Sequence, residues 1–188
     1  MLTQTAVPII LCGRLTVTLA IDLSGLRAIE KPMFHVALVE PEIPQNTGNI
    51  ARLCAATRTS LHIVGVAGFR LDDRAVRRAG LDYWDQVSIQ RHRDLNSLFA
   101  SLSQARFLFF STKAERILWE QCFNRNDCLV FGPETRGLPE SLLRENWDRC
   151  VKVPMINPNV RSLNLANTVA IALYEALRQT TDLRTHQG

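Results

Sequence analysis

Short apolar runs alternate with helical periods along most of the chain. The runs predict five strands and a weaker sixth, at residues 34–39, 61–66, 106–111, 128–132 and 150–154, with the weaker candidate at 87–91. Their nearly continuous apolar character is typical of strands buried on both faces of a parallel sheet. Because helical segments lie between them, the pattern predicts an α/β fold with a mostly parallel sheet flanked by helices.

Two helices are predicted from the spacing of apolar residues. Asp94 is placed to cap a helix over 94–103, whose apolar positions recur at i, i+3, i+4 and i+7. The last helix, predicted over 163–179, carries apolar residues round more than one side, so it should be covered on more than one face. The pattern leaves open whether that second face packs in the core or against another subunit.

The two ends of the chain differ from its middle. Residues 1–32 show weak periodicity and end in Lys31-Pro32, so we expect a leader or a mis-assigned start that is not part of the fold. Residues 33–179 are expected to form one domain. Residues 180–188 are polar and are expected to be a frayed tail.

Composition narrows the class of protein. With 188 residues and 46% hydrophobic content, the chain can bury one substantial core. Its net charge of +4 and pI near 9.0 favour a phosphate-bearing partner, although many basic proteins bind no nucleic acid. The five scattered cysteines, without metal-ligand spacing, predict buried thiols in a reducing cytoplasm and no metal site. No segment is long enough to span a membrane.

A glycine-bounded loop, residues 132–139, follows the apolar run 128–131. Two glycines five apart after a strand suggest a phosphate-binding loop, but Leu138-Pro139 stands where that loop needs lysine followed by serine or threonine. A dinucleotide fingerprint is also missing. What remains is a loop in which Gly132 lets a ligand approach the main chain, or an ordinary turn into a helix that begins near Pro139.

Two more polar segments follow predicted strands. Residues 161–165 come after the strand that ends in Pro154, and residues 44–52 lead into a helix with Asn46 and Arg52 six positions apart. Loops that leave neighbouring strands can together form a ligand pocket at one edge of an open sheet. Taken alone, Arg52 could equally be a solvated surface charge or a group that binds an anion.

In their order along the chain, the three polar segments at 44–52, 132–139 and 161–165 resemble the motifs of the SpoU-type (SPOUT) RNA ribose methyltransferases. The resemblance covers about residues 33–179. The resemblance implies a C-terminal deep trefoil knot and S-adenosyl-L-methionine as the cofactor. The chain is most similar to the minimal members of the family, which methylate the ribose 2′-oxygen of the wobble cytidine or modified uridine in the tRNA anticodon loop.

The resemblance also implies roles for individual residues. Four positions match contacts to the cofactor: Phe110, Gly132, Val153 and Ser162. Arg52 matches an arginine at the target ribose. The other catalytic positions are Asn46, Glu134 and Asn164, which orient that arginine, the ribose or the loop. The reaction needs no metal.

The resemblance further implies a homodimer whose active site lies near the subunit interface and which binds the tRNA anticodon stem-loop. Residues 70–93 hold six arginines with Tyr83 and Trp84, a composition suited to single-stranded RNA or to a solvated helix face. Two alternatives stay open: methylation of ribosomal RNA ribose, and a noncatalytic RNA-binding dimer.

Overall fold

Six parallel strands form one sheet in the computed structural model, which describes residues 33–70 and 87–180. The strands are β1 (His35–Val39), β2 (Ser60–Val64), β3 (Ile89–His92), β4 (Phe107–Phe110), β5 (Cys128–Phe131) and β6 (Cys150–Val151). Their order across the sheet is β3-β2-β1-β5-β4-β6, and all recorded pairings are parallel. The α/β architecture with a parallel sheet is therefore confirmed. The expectations for residues 1–32, for Tyr83 and Trp84, and for residues 181–188 lie outside the described residues.

Within residues 33–70 and 87–180, four α-helices connect or follow these strands. They are α1 (Pro44–Ala56), α2 (Leu95–Ser101), α3 (Glu140–Glu145) and α4 (Leu165–Thr180), with short 3-10 helices at Leu118–Glu120 and Trp147–Arg149. The predicted cap of α2 is confirmed, because the Asp94 carboxylate accepts a hydrogen bond from the backbone N–H of Ser97 at 2.8 Å. The Ser97 hydroxyl in turn lies 3.1 Å from the backbone N–H of Asp94, which completes a capping box.

Alternate residues of each strand face opposite sides of the sheet, and both sides are covered. One side packs against α1 and α4, with strand residues Val36, Leu38, Ile63, Leu108, Leu129 and Phe131 in its core. The other packs against α2 and α3, with Ala37, Val39, Val64, Phe107, Phe109 and Val130. This two-sided burial explains why β1, β2, β4 and β5 are mostly apolar, whereas the edge strand β3 is polar and partly exposed.

Helix α4 buries one face within this chain rather than two. Its core residues are Val169, Ala172, Leu173, Ala176 and Leu177, all with at most 4% of their surface exposed. On its other side, Ile171 is 36% and Tyr174 51% exposed. The expectation that α4 is covered on more than one face, in the core or against another subunit, therefore stays a prediction.

Several strand ends differ from the sequence-based prediction. Strand β2 ends at Val64 because Gly65 turns the backbone with φ +76°, and Val66 beyond it is 84% exposed. Strand β6 is only two residues long, since Lys152 forms a single bridge to Ile117 and no further pairing follows. Val153 and Pro154 therefore belong to the loop that leads toward α4, and Thr180, expected in the frayed tail, ends that helix.

Three of the described cysteines are buried as predicted, and one is not. Cys54, Cys128 and Cys150 lie in the core, where desolvation raises the pKa of each thiol. Cys122 is exposed because it lies in the loop before β5. Its main-chain carbonyl accepts a hydrogen bond from Arg106 at 2.7 Å. Among the described helices, none has the length and apolar character needed to cross a membrane.

Three histidines form a hydrogen-bonded row across β1, β2 and β3. His35 Nδ1 lies 3.0 Å from His62 Nε2, and His62 Nδ1 lies 2.9 Å from His92 Nε2. At the other end, His35 Nε2 lies 3.2 Å from Oδ1 of Asn126, whose amide nitrogen donates to the carbonyl of Gln104. Since Asn126 Oδ1 can only accept, each ring carries its proton on Nε2 and accepts at Nδ1.

Candidate functional site

A cavity of about 700 Å³ opens where β4, β5 and β6 end. Its floor is formed by the last residues of these strands, Phe110, Phe131 and Val151. Its walls come from the segments that follow them, including residues 111–113, 132–138 and 161–165, together with the start of α1. Ligands of open parallel sheets commonly bind beyond the carboxyl ends of the strands, and this cavity lies at that edge.

Seven of the eight residues predicted for the site line this one cavity. They are Asn46, Phe110, Gly132, Glu134, Val153, Ser162 and Asn164. They lie in four separate parts of the sequence, so only the fold brings them together. The eighth, Arg52, does not line it.

Arg52 lies on α1 but faces away from the cavity of its own chain. Helix α1 begins at Pro44, so Asn46 is in its first turn and Arg52 in its third, rather than both being near the helix start. Six positions correspond to about 240° around a helix of 3.6 residues per turn. As a result Asn46 is buried at 5% exposure while Arg52 is exposed.

Three of the predicted catalytic side chains bond to one another in a polar ladder. Asn46 Nδ2 donates to Glu134 Oε1 at 3.0 Å, and Asn164 Nδ2 donates to Asn46 Oδ1 at 3.0 Å. Asn164 Oδ1 then accepts from the backbone N–H groups of Ala166 and Asn167 and caps the start of α4. The ladder therefore ties the loop after β5, the start of α1 and the start of α4 into one unit.

A second set of contacts joins the loop after β5 to the loop before α1. In it, a carboxylate of each loop accepts hydrogen bonds from the other loop. Glu134 accepts hydrogen bonds from the backbone N–H groups of Glu42 and Ile43, at 2.9 and 3.2 Å. Glu42 in return accepts from the backbone N–H and the hydroxyl of Thr135, at 3.0 and 2.9 Å. Arg136 pairs with Glu40 and with Glu42. This reciprocal exchange, here called the carboxylate clasp, fixes the loop relative to α1.

Gly132 is required for a different reason from the one that the sequence suggests. A Cβ atom at this position would overlap the backbone of Gly137 and Leu138, because the loop folds back onto its own first residue. The glycine thus allows the loop to close, and the expectation that it also lets a ligand approach the main chain stays a prediction. Gly137 supports the same turn with φ +69°, in the left-handed region that glycine favours.

The composition of the cavity fits a nucleoside-containing ligand such as S-adenosylmethionine. Phe110 and Phe131 stack with ring centroids 4.6 Å apart and, with Val153, give an apolar surface against which a base can pack. The loops after β5 and β6 bring main-chain groups to the same wall. Lys113 and Arg161 add positive charge among the lining residues, which suits an anionic group on a ligand or substrate.

Sequence reasoning missed Glu42 and Lys113 as parts of the site. Glu42 could have been noticed because it precedes the Pro44 start of α1, where a carboxylate is favoured by the helix dipole. Lys113 follows the end of β4, the strand edge at which the other polar segments were already expected. Among residues 33–70 and 87–180, no cluster of histidine, cysteine or acidic side chains could hold a metal ion.

We expect the Glu134→Gln substitution to lower the free energy of unfolding by about 1–3 kcal/mol, because the amide turns an N–H₂ group toward backbone donors that the carboxylate now accepts. Urea unfolding of both proteins measures the change. The control is Glu140→Gln, which removes an exposed carboxylate that pairs with Lys113 and Arg144, and which should leave the free energy of unfolding nearly unchanged. Equal losses in the two variants would contradict the structural role of the ladder.

Comparison with known proteins decides the family. The model of the SpoU rRNA Methylase family matches residues 33–174. The chain belongs to this family. The resemblance to SpoU-type methyltransferases that the motifs suggested is therefore confirmed.

Individual relatives of this SpoU family member are similar over most of its length. A Bacillus subtilis (strain 168) protein named putative tRNA (cytidine(34)-2′-O)-methyltransferase is 48% identical over 150 residues, which cover 77% of this chain and 92% of the relative. A solved structure, described by the words "Structural insights into the 2-OH methylation of C/U34 on tRNA", is 46% identical to this chain with a TM-score of 0.75. The match covers 78% of this chain and 95% of the chain in that structure.

A more distant structure shares the fold alone. The SpoU methyltransferase AviRb from Streptomyces viridochromogenes, solved in complex with the cofactor AdoMet, has a TM-score of 0.71 at 24% identity, covering 79% of this chain and 58% of that one.

Proposed function

We propose that this protein transfers a methyl group from S-adenosyl-L-methionine to the ribose 2′-oxygen of the wobble nucleotide in the tRNA anticodon loop. The observation that carries the proposal is the cavity beyond β4, β5 and β6, around which seven residues from four separate segments converge. The support for the substrate comes from a relative named for cytidine 34 of tRNA, at 48% identity, and from a solved structure concerned with methylation of C/U34 on tRNA, at 46% identity.

The cofactor is assigned to the same cavity. Phe110 and Val153 would pack against its apolar part, and Gly132 and Ser162 would meet it with main-chain and hydroxyl groups. When bound, S-adenosylmethionine supplies an already activated methyl group on a sulfonium centre. Asn46, Glu134 and Asn164 act as positioning residues in this proposal, because their side chains hold the cavity walls together through the polar ladder.

Arg52 is proposed as the residue at the target ribose. A guanidinium stays protonated at neutral pH, so it is unsuited to removing the hydroxyl proton. It can instead bind the adjacent phosphate and stabilise negative charge that develops on the 2′-oxygen, while the proton leaves to phosphate, to solvent or to another residue. Alignment of the hydroxyl with the methyl group accounts for much of the remaining acceleration.

A homodimer follows from the same proposal. Arg52 faces away from the cavity of its own chain, so a second copy is needed if it is to reach a ribose, and the outer side of α4 presents Ile171 and Tyr174 for such a contact. We propose in addition that the C-terminal segment threads the loops of the cavity to form a deep trefoil knot, as the resemblance implies. Sedimentation of the purified protein tests the dimer.

The substrate is tested by methylation with labelled donor. The protein should transfer label to purified tRNA but not to ribosomal RNA, and mapping of the product should find the ribose of the wobble nucleotide. Label in ribosomal RNA alone would move the activity to the alternative substrate. Calorimetry that finds RNA binding without S-adenosylmethionine binding would favour a noncatalytic RNA-binding dimer.

We expect the Arg52→Ala substitution to lower the turnover number by at least about 100-fold, the usual cost of removing one donor that stabilises charge in a transition state. Dimerisation and S-adenosylmethionine affinity should be retained, as measured by sedimentation and calorimetry. The matched control is Arg125→Ala, which removes another exposed arginine that does not line the cavity. If Arg52→Ala turned over at the wild-type rate, Arg52 would have no part in the reaction.

A further inference from the structure

A separate groove of about 370 Å³ lies beside the main cavity. It is lined by Lys113, Glu140, Leu143, Arg144 and Trp147, and most of its surface is apolar. Leu143 is buried at 2% exposure and forms part of the floor, whereas Trp147 is 41% exposed. Nothing in the proposed methyl transfer uses this groove, which we call the Trp147 groove.

The Trp147 groove adjoins the main cavity, because Lys113 lines both of them. A ligand that extends from the main cavity past Lys113 therefore meets the groove next. An RNA strand whose target ribose lies in the main cavity would bring its neighbouring nucleotide to this position.

The charges of the groove suit a phosphate. Lys113 Nζ lies 2.5 Å from one oxygen of Glu140, and Arg144 Nη2 lies 3.5 Å from the other. One carboxylate is thus shared by two cations, which leaves a positive charge in excess beside the apolar wall. Lysine and arginine next to an aromatic surface are the combination by which proteins bind unpaired nucleotides, with the base stacked and the phosphate paired.

We propose that the Trp147 groove binds an unpaired nucleotide that flanks the methylated one, with its base stacked on Trp147 and its phosphate near Lys113 and Arg144. The inference rests on the proposed function for its substrate class. It goes beyond that function because it assigns a second contact, outside the main cavity, that sets RNA affinity rather than the rate of methyl transfer.

The test compares two exposed tryptophans. Trp147→Ala should weaken binding of an anticodon stem-loop RNA by at least about fivefold, the low end of the loss reported when one stacking aromatic is removed, and should raise KM for RNA with little change in the turnover number. Trp147→Phe should restore most of the affinity. Trp119→Ala, which removes a tryptophan that is 57% exposed and does not line the groove, should bind RNA as the wild type does. RNA should also quench tryptophan fluorescence more in Trp119→Ala than in Trp147→Ala, since Trp84 is common to both variants.

Other results would overturn the proposal. Wild-type RNA affinity in Trp147→Ala would show that the groove binds no nucleotide. Weaker S-adenosylmethionine binding or a changed oligomeric state in that variant would make Trp147 a structural or interface residue. Because affinity and fluorescence are measured without catalysis, the outcome is separate from that of the proposed function, which fails if the wild-type protein binds cofactor and RNA yet methylates neither tRNA nor any part of it.

Discussion

Replacing Gly132 with alanine should weaken S-adenosylmethionine binding by at least about tenfold while leaving the sheet folded. The added Cβ overlaps the backbone of Gly137 and Leu138, so the loop after β5 has to open. Overlap of this kind costs about 1–3 kcal/mol or more, and about 1.4 kcal/mol corresponds to a tenfold change in affinity. Calorimetric titration with the cofactor measures the loss, and far-ultraviolet circular dichroism checks the fold.

The matched control uses the other glycine of the same loop. Gly137 has φ +69°, which asparagine tolerates better than other side chains, and a Cβ there would have no atom within contact distance. Gly137→Asn should therefore keep cofactor affinity within a few-fold of the wild type. Unchanged binding in Gly132→Ala would mean that the cofactor does not depend on this turn, and the assignment of the cofactor to this wall would be wrong.

Mild acid should destabilise the protein steeply between about pH 6.5 and pH 4.5. Burial lowers the pKa of His62 to about 3, helped by the neighbouring His35 and His92, and burial also lowers the pKa of His35. In the unfolded chain these rings titrate near 6.5. Below that pH the unfolded state binds more protons than the folded state, so the stabilisation is complete above pH 6.5 and is lost as the pH falls.

The expected slope of the free energy of unfolding against pH follows from the number of buried histidine rings. Two protons taken up on unfolding, by His35 and His62, change the free energy of unfolding by up to about 2.7 kcal/mol per pH unit. Carboxylates add to the loss only at lower pH, near their own pKa values of about 4. Urea unfolding at half-unit steps of pH measures the slope directly.

A variant isolates the histidines from other titrating groups. The double substitution His35→Phe with His62→Leu removes both buried rings, and the slope between pH 6.5 and 4.5 should flatten whatever its stability at pH 8. Parallel slopes in the two proteins would show that other groups cause the acid response. The position of His62 explains the size of the effect, because its ring is fully buried and both of its nitrogens are bonded to other imidazoles.

The strands could be predicted from sequence because burial on both faces requires apolar residues at most positions. The last helix could be predicted because its buried face requires apolar residues at helical spacing. The ends of these elements could not, since they depend on pairing with neighbours. Strand β6 illustrates this: Val153 is as apolar as Val151, but pairing stops after the single bridge at Lys152. Periodicity describes how one segment is buried and says nothing of whether a neighbouring strand continues beside it.

Most residues of the site could be predicted from the sequence, but the hydrogen bonds between them could not. Motif matching selected eight residues, seven of which the fold brings to one cavity. It did not indicate that the side chains of Asn46, Glu134 and Asn164 bond to one another. The carboxylate clasp through Glu42 and Thr135 joins residues 93 positions apart, so no local pattern could reveal it. The histidine row could not be predicted for the same reason, because its three rings come from three different strands, up to 57 positions apart.

The polar ladder has a consequence for the order in which the protein becomes active during synthesis. Asn46 and Asn164 are separated by 118 positions, and the second of them also starts the final helix. A nascent chain can pair β1 with β2 early, but it has no complete cavity until Asn164 has left the ribosome. Prematurely terminated copies that stop before Asn164 would therefore be unable to compete for cofactor or RNA with the finished enzyme.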